Sequence, residues 1–220
     1  LSGKVTFFLS PTTVLSDQHY ITCKNRLGVL GVNVELLSRF RTKKEQALIL
    51  ERLHNKKIDV LVGTHSILND DVSTENLGLL IVDEEQKFGV AVKDKLKTIK
   101  ENVDTLTLTA TPIPRTLQFS LMAARDLSTI TTPPPNRYPI ETHIIRLSEE
   151  TIRDAISYEI QRGGQVFFVH NRVQSIEALH DRLRDIVPEA KIRVGHGQMK
   201  AHELERVMLG FMEHEFDVLL

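Results

Sequence analysis

The sequence predicts an α/β fold in which parallel sheets are covered by helices on both faces. Short runs of apolar and β-branched residues alternate along the chain with longer segments of helical periodicity. The runs are apolar at consecutive positions, which is typical of strands buried on both faces of a parallel sheet. A proline-rich segment at residues 131–139 interrupts the pattern, which then restarts. We therefore expect two α/β lobes joined by a stiff linker.

The predicted elements alternate as expected for repeated βαβ units. In the first lobe, strands are expected at residues 5–9, 32–37, 58–63, 77–83 and 104–110, and helices at residues 44–55 and 92–100. In the second lobe, strands are expected at residues 140–147, 165–171, 190–197 and 216–220. Amphipathic helices are expected between these strands, and Ser148 is the expected N-cap of the first of them.

Composition narrows the function classes. The net charge of −1 gives no global argument for nucleic-acid binding, so any such argument depends on local patches. The single cysteine, Cys23, allows no internal disulfide and fits a reducing, cytoplasmic location. No apolar run approaches the roughly 18 residues of a membrane span, so no membrane partner is expected. The histidines and the cysteine do not have the spacing of a zinc site, so no structural metal is expected.

Three consecutive carboxylates, Asp83, Glu84 and Glu85, directly follow a predicted buried strand. In open α/β sheets, chemistry occurs at the carboxyl ends of the strands. In P-loop ATPases an aspartate at this place holds Mg²⁺ beside the nucleotide, and a neighbouring glutamate can polarise the attacking water. Mg²⁺ with ATP phosphates is therefore one candidate partner for these carboxylates. The alternative interpretation is an acidic turn that caps the next helix.

The stretch LTLTATPIPRTL at residues 106–117 favours the first interpretation. It is a second predicted strand that ends in small hydroxyl residues, Thr109 and Thr111. Small residues allow two loops to approach closely, and hydroxyls can bridge to the acidic loop.

The DEEQ and TATP segments, in this order and spacing, resemble motifs II and III of superfamily 2 helicases and translocases. The surrounding sequence is more specific. PTTVLSDQHY, VGTHSIL, VDEEQKFGV, RGGQVFFVHNRV and VGHGQM resemble the family of transcription-repair coupling factors, with RecG-type branched-DNA helicases as near relatives. The resemblance spans essentially the whole chain. It implies two RecA-like lobes, both incomplete, at residues 1–130 and 140–220, with the linker at residues 131–139.

The resemblance also implies an activity and its cofactors. Members of the family are ATP- and Mg²⁺-dependent translocases on double-stranded DNA that displace stalled RNA polymerase and recruit excision-repair proteins, through domains outside residues 1–220. By matching motifs, Asp83 would bind Mg²⁺ through water and Glu84 would be the general base. Gln86 would sense the γ-phosphate or contact the other lobe. Thr109 and Thr111 would couple the nucleotide site to DNA.

The resemblance assigns a set of DNA contacts at strand ends in both lobes. These candidates are Thr12, Thr13, His19, Arg39, Arg41, Thr64, His65, Asn171, Arg172, His196 and Gly197. Helix N-termini and basic side chains suit phosphate oxygens, which supports the assignment. The alternatives are an N-cap for the threonines, a solvated basic face around residues 39–57, local hydrogen bonding for the histidines and turn geometry for the glycine.

Several alternatives remain open. Residues 1–220 contain no GxxxxGK[ST] phosphate-binding loop. The resemblance implies that this loop lies upstream of Leu1 and the arginine fingers downstream of Leu220, so this segment is expected to be inactive as a motor. A RecG-type fork-reversal helicase is the alternative within the class. A non-catalytic DNA-binding module and a metal-dependent phosphohydrolase using residues 83–85 are alternatives from other classes.

Overall fold

The computed structural model describes residues 3–39, 41–110, 128–134 and 139–220 of the chain. The chain divides into two compact units, Leu1–Ser128 and Thr129–Leu220. Within the described residues, none of the helices combines the length and the apolar character that a membrane span requires.

The first unit is built on a five-stranded sheet in the order β2-β3-β1-β4-β5, and all of its pairings are parallel. Its strands are β1 (Val5–Leu9), β2 (Val34–Leu37), β3 (Val60–Gly63), β4 (Leu77–Asp83) and β5 (Asp104–Leu108). Its described helices are α1 (Thr13–Leu27), α2 (Lys43–His54) and α3 (Val90–Lys100). The predicted α/β class with parallel strands is confirmed, and every predicted strand of this lobe is present.

Apolar clusters cover both faces of this sheet. On one face, the fully buried side chains of Phe7 and Leu80 pack with Ile49 of α2 and Leu96 of α3. On the other face, the strand residues pack with partly buried side chains of α1. Neighbouring residues of one strand, such as Phe7 and Phe8, therefore lie in different clusters, which explains the continuous apolar runs in the sequence.

Two local features fix the loops at the carboxyl ends of the strands. Thr42 and Glu45 form a reciprocal capping box that starts α2 immediately after the loop that follows β2. Gly63 ends β3 where a Cβ atom would lie 2.4 Å from Ile67 and 2.6 Å from the carbonyl oxygen of Leu37. Only glycine fits that close backbone approach without a shift of the neighbouring strand end.

The second unit contains a three-stranded parallel sheet in the order β6-β8-β7. Its strands are β6 (Val166–Phe167), β7 (Ile192–Arg193) and β8 (Val218–Leu219). Its helices are α4 (Glu149–Gln161), α5 (Ile176–Ile186) and α6 (Ala201–Met212). Ser148 caps α4 through a hydrogen bond from the backbone N–H of Thr151, as predicted.

The prediction of a strand at residues 140–147 is wrong, because residues 139–148 form no strand. Ile140 and Ile144, which suggested a buried strand, are 92% and 100% exposed. A strand exists only where its backbone pairs with a neighbour, and the described sheet of this unit consists of β6, β8 and β7. A β-branched sequence favours the extended conformation but does not supply that partner.

Candidate functional site

The described candidate residues of the first unit lie at the carboxyl edge of the five-stranded sheet. Because the strands are parallel, the segments that follow them all emerge at this one edge. The candidates are Thr12, Thr13 and His19 after β1, Arg39 and Arg41 after β2, Thr64 and His65 after β3, Asp83, Glu84 and Gln86 at β4, and Thr109 after β5. Thr111 and residues 135–138 of the predicted linker lie outside the described residues.

Asp83, the last residue of β4, is hydrogen-bonded to a histidine of α1. Nε2 of His19 lies 2.9 Å from Oδ2 of Asp83. A carboxylate can only accept a hydrogen bond, so Nε2 carries the proton and is the hydrogen-bond donor. The ring of His19 also stacks on Phe8 of β1, with ring centroids 4.2 Å apart. The structure thus brings together a candidate DNA contact and the candidate magnesium ligand.

Glu84 adopts an unusual backbone conformation, with φ 49° and ψ 47°. Residues other than glycine rarely occupy this left-handed region, and they cluster at functional sites. The turn directs the Glu84 side chain toward β5, where Oε1 accepts a hydrogen bond from the backbone N–H of Ala110 at 2.9 Å. That hydrogen bond is the main cause of a lowered pKa for the Glu84 carboxyl, with Lys87 and Gln86 adding to it.

Gln86 bridges the acidic loop to the loop that follows β5. Its Nε2 donates to Oε2 of Glu84 at 2.6 Å and to Oγ1 of Thr109 at 3.4 Å. The backbone N–H of Glu84 also donates to the carbonyl oxygen of Leu108 at 3.0 Å. The two sequence motifs, separated by more than twenty residues, therefore form one hydrogen-bonded loop pair.

Glu85 is held on the other side of the acidic loop. Its Oε1 accepts from Nζ of Lys100 at 2.8 Å, and its Oε2 accepts from Oγ1 of Thr107 at 3.3 Å. Lys100 is the last residue of α3, and only 12% of its side chain is exposed. The three carboxylates thus have different partners within this unit. Asp83 has a histidine, Glu84 has a backbone amide, a glutamine and Lys87 at 3.6 Å, and Glu85 has Lys100 and a threonine.

The donor set at this edge fits Mg²⁺ that is bound together with a nucleotide. Mg²⁺ keeps several waters and takes one or two protein carboxylates, with phosphate oxygens completing its shell. Among residues 3–39, 41–110, 128–134 and 139–220, no group of three or more His, Cys, Asp or Glu side chains could hold a metal ion. A Mg²⁺ ion that is bound with a nucleotide needs only one or two protein carboxylates, and Asp83, with Glu84 beside it, meets that requirement.

The segment after β1 is fixed by a buried hydroxyl pair that the sequence reasoning missed. Oγ of Ser10 and Oγ of Ser16 are 2.6 Å apart, and both residues are fully buried. Thr12 is the N-cap of α1, with its hydroxyl accepting from the N–H of Leu15 at 3.2 Å. Thr13 is buried, and its hydroxyl accepts from Nε of Arg39 at 3.4 Å. The N-cap interpretation of Thr12 is therefore confirmed, and its contact with DNA stays a prediction.

The remaining candidates of the first unit are at the surface of the same edge. Arg39 and His65 are exposed, and Arg41 pairs with Glu45 of α2 at 3.7 Å. Thr64 precedes the short turn that contains His65, and its hydroxyl lies 3.4 Å from Oγ of Ser66. These residues are accessible for backbone phosphates, although Arg39, Arg41 and Thr64 also have local partners.

In the second unit, the candidates follow β6 and β7, at one edge of the three-stranded sheet. Asn171, Arg172 and Gly197 are exposed, whereas His196 is partly buried. Within the described part of the chain, Nδ1 of His196 is buried without a hydrogen-bond partner, and its backbone N–H points to the sulfur of Met199 at 3.4 Å. The strand ends therefore bring these four residues to a common edge.

Comparison with known proteins identifies the family. The DEAD/DEAH box helicase family matches residues 1–119. The transcription-repair-coupling factor of Bacillus subtilis is 51% identical over 218 residues, which is 99% of this chain and 18% of that protein. The same factor from Staphylococcus epidermidis is 49% identical over 220 residues, which is 100% of this chain and 19% of that protein. The chain thus spans about a fifth of the length of these curated relatives.

A solved structure of RecG bound to a three-way DNA junction is similar over 99% of this chain and 29% of the RecG chain. The TM-score is 0.73 and the sequence identity is 33%. The resemblance to transcription-repair coupling factors and to RecG-type helicases, expected from the sequence motifs, is confirmed. This chain belongs to the DEAD/DEAH box helicase family.

Proposed function

We propose that this chain is part of an ATP-dependent translocase on double-stranded DNA, with Asp83 and Glu84 in its ATP site. The observation that supports this most is the loop pair formed by Glu84, Gln86, Thr109 and Ala110. A turn that merely capped the next helix would not need a strained glutamate whose carboxylate reaches the neighbouring strand end. Family membership supports the same proposal.

The contacts at the carboxyl edge suggest how the site would act. Bound Mg²⁺ with ATP would supply the phosphate electrophile and the charge neutralisation for transfer to water. Asp83 would hold the ion through water. Because the pKa of the Glu84 carboxyl is lowered, this side chain is ionised at neutral pH and would orient and polarise the attacking water. When the γ-phosphate is lost, Gln86 and Thr109 would transmit the resulting conformational change to the loop that follows β5.

The DNA track is proposed along the two strand-end edges. The first unit would offer the N-terminal turn of α1 and the arginines after β2, and the second unit would offer Asn171 and Arg172. Such contacts with phosphates are sequence-independent and suit a protein that moves along a duplex. Alternating grip by the two units during the ATP cycle would then give translocation.

The biological role proposed is displacement of stalled RNA polymerase and coupling of transcription to excision repair, through regions outside residues 1–220. It is supported by the names of the curated relatives, at about half identity over the whole chain. A RecG-type helicase that reverses DNA forks is the second candidate, supported by the 33% identity with RecG. The difference between the two identities favours the coupling factor.

A segment swap tests the proposed activity. In this chimera, the chain replaces the matched segment of the Bacillus subtilis coupling factor. We expect DNA-stimulated ATP hydrolysis by the chimera, with a loss of about 100-fold or more in Glu84→Gln. Glu101→Gln is the matched control, since Glu101 is an exposed carboxylate after α3 and outside the loop pair. A folded but inactive chimera would contradict the proposal.

Two further measurements test the finer parts of the proposal. The chain alone contains no GxxxxGK[ST] loop, so we expect no appreciable ATP hydrolysis from it. Turnover by the isolated chain that disappears in Glu84→Gln would refute that expectation.

A second swap, into RecG, separates the two candidate roles. Release of stalled polymerase by the first chimera, without fork reversal by the second, is the expected result.

A further inference from the structure

We propose that His19 is a positioning residue of the ATP site, which holds the Asp83 carboxylate for Mg²⁺ and is not a contact for DNA phosphate. The inference rests on the proposed function, because it takes Asp83 as the residue that holds Mg²⁺ through water. It replaces the role that the sequence motifs suggested for His19 with one that its contacts favour.

The pair is geometrically well defined. Nε2 of His19 and Oδ2 of Asp83 are 2.9 Å apart, and the two side chains are only 23% and 15% exposed. A side chain that reaches phosphate from the surface would have its donor directed to solvent, whereas the Nε2 donor of His19 is directed to the carboxylate. The two residues are 64 positions apart in sequence, so the contact is a product of the fold.

The ring of His19 is itself held in place. It stacks on the ring of Phe8, with an interplanar angle of 26°, and Phe8 is a buried residue of β1. Phe8 pairs with Ile81 in the β1–β4 register, two residues before Asp83 on the same strand. The histidine is therefore supported by the strand that adjoins the one carrying the carboxylate, and its position follows from sheet register.

This support has a chemical consequence. A hydrogen bond to one carboxylate oxygen stops rotation of the Asp83 carboxylate and so fixes the direction of its other oxygen. Mg²⁺ demands a near-ideal octahedral shell, so a fixed oxygen direction reduces the cost of ordering the ion and its waters. Hydrogen-bond partners of metal-ligating carboxylates typically contribute 10–100-fold to metal affinity or activity.

Two substitutions separate the donor from the ring. His19→Phe retains an aromatic ring against Phe8 and removes the Nε2 donor, whereas His19→Gln retains a side-chain N–H donor and removes the ring. The matched control is His54→Asn, because His54 is an exposed histidine at the end of α2, near the opposite edge of the sheet. Thermal unfolding of each variant identifies any loss of folding.

The test measures metal binding directly. Mn²⁺ would be titrated into the chimera with a non-hydrolysable ATP analogue, and free Mn²⁺ followed by electron paramagnetic resonance. We expect His19→Phe to weaken Mn²⁺ binding about 10-fold, His19→Gln to recover part of that loss, and His54→Asn to match wild type. The Mg²⁺ concentration for half-maximal ATP hydrolysis should rise in parallel, while the DNA concentration for half-maximal stimulation stays unchanged.

The contrary outcomes are distinct. Unchanged Mn²⁺ binding in His19→Phe, together with a higher DNA requirement, would refute the inference and restore the DNA contact. Weaker Mn²⁺ binding that follows a lower melting temperature in both variants would reduce His19 to a structural residue, which also refutes it. A folded wild-type chimera without ATP hydrolysis would instead refute the proposed function, and the inference with it.

Discussion

Lys100 neutralises Glu85, the third carboxylate of the acidic loop, through an ion pair of 2.8 Å between α3 and the end of β4. Only 12% of the Lys100 side chain and 28% of the Glu85 side chain are exposed. Glu84 has a longer ion pair, 3.6 Å, with the exposed Lys87, whereas Glu85 has the short pair with the largely buried Lys100. We therefore assign Glu85 a structural role and keep Asp83 and Glu84 as the two carboxylates that are proposed to act on Mg²⁺ and water.

Lys100→Met should lower the free energy of unfolding of the first unit by about 1–2 kcal/mol, because Glu85 loses a charged hydrogen-bond partner in a partly buried place. Chemical denaturation measures this. Lys97→Met is the control, since Lys97 pairs with Asp94 on the surface, where such pairs contribute little. Adding Glu85→Gln to Lys100→Met should recover much of the loss, and equal stability of the two lysine variants would contradict the argument.

The lowered pKa of Glu84 predicts a pH dependence of stability. A carboxyl whose pKa is lower in the folded state stabilises that state above its unfolded-state pKa, which is about 4.3 for glutamate. The contribution is lost as the pH falls below that value and through the lowered folded-state pKa. The stability difference between wild type and Glu84→Gln should therefore be constant near neutral pH and change only in this acid range.

Denaturation of both proteins between pH 2 and 7, with Glu101→Gln as the control, measures this difference. Carbon-13 NMR of the Glu84 carboxyl gives an independent check of the direction. A Glu84 carboxyl that titrates above the ordinary glutamate range would contradict the hydrogen bond from Ala110 as its main cause.

The sequence predicted the elements that depend on local pattern. Strand β4 was predicted at its observed bounds, because a continuous apolar run that ends in a charge marks a buried strand and its carboxyl end. The common edge of the candidate residues followed from parallel pairing, which the apolar runs indicated. The closeness of the acidic loop to Thr109 followed from the same reasoning.

Contacts between distant side chains could not be predicted in this way. The bond between His19 and Asp83 depends on sheet order and on the rotation of α1, and neither is encoded in a local pattern. The ion pair of Lys100 with Glu85 depends in the same way on where α3 ends against β4. The strand prediction for residues 140–147 was wrong for the opposite reason. Their local pattern is typical of a strand, but their backbone does not pair with a neighbouring strand.

The capping box of α2 contributes to the stability of the first unit. The hydroxyl of Thr42 accepts from the N–H of Glu45, and Oε2 of Glu45 accepts from the N–H of Thr42 at 2.7 Å. Thr42→Ala should lower the free energy of unfolding by about 1 kcal/mol. Thr42→Ser is the control, since serine preserves the cap, and an equal loss in both variants would contradict the capping role. Chemical denaturation is the measurement.

Arg39 is the sharpest test of the DNA track in the first unit. It is exposed at the end of β2, and its Nε donates to Thr13 in the first turn of α1, so its guanidinium lies beside the helix N-terminus. We expect Arg39→Ala to weaken DNA binding by the chimera to a similar extent for all sequences. The slope of log affinity against log salt should fall by about 1, because one phosphate contact is lost.

Fluorescence anisotropy with two unrelated duplexes, over a range of KCl concentrations, measures both quantities. Arg26→Ala is the matched control, because Arg26 is an exposed arginine in the last turn of α1, far from the N-terminal turn. An equal salt slope for Arg39→Ala and Arg26→Ala would remove Arg39 from the proposed track. A loss confined to one duplex would indicate contact with bases, which a translocase that moves along any sequence does not require.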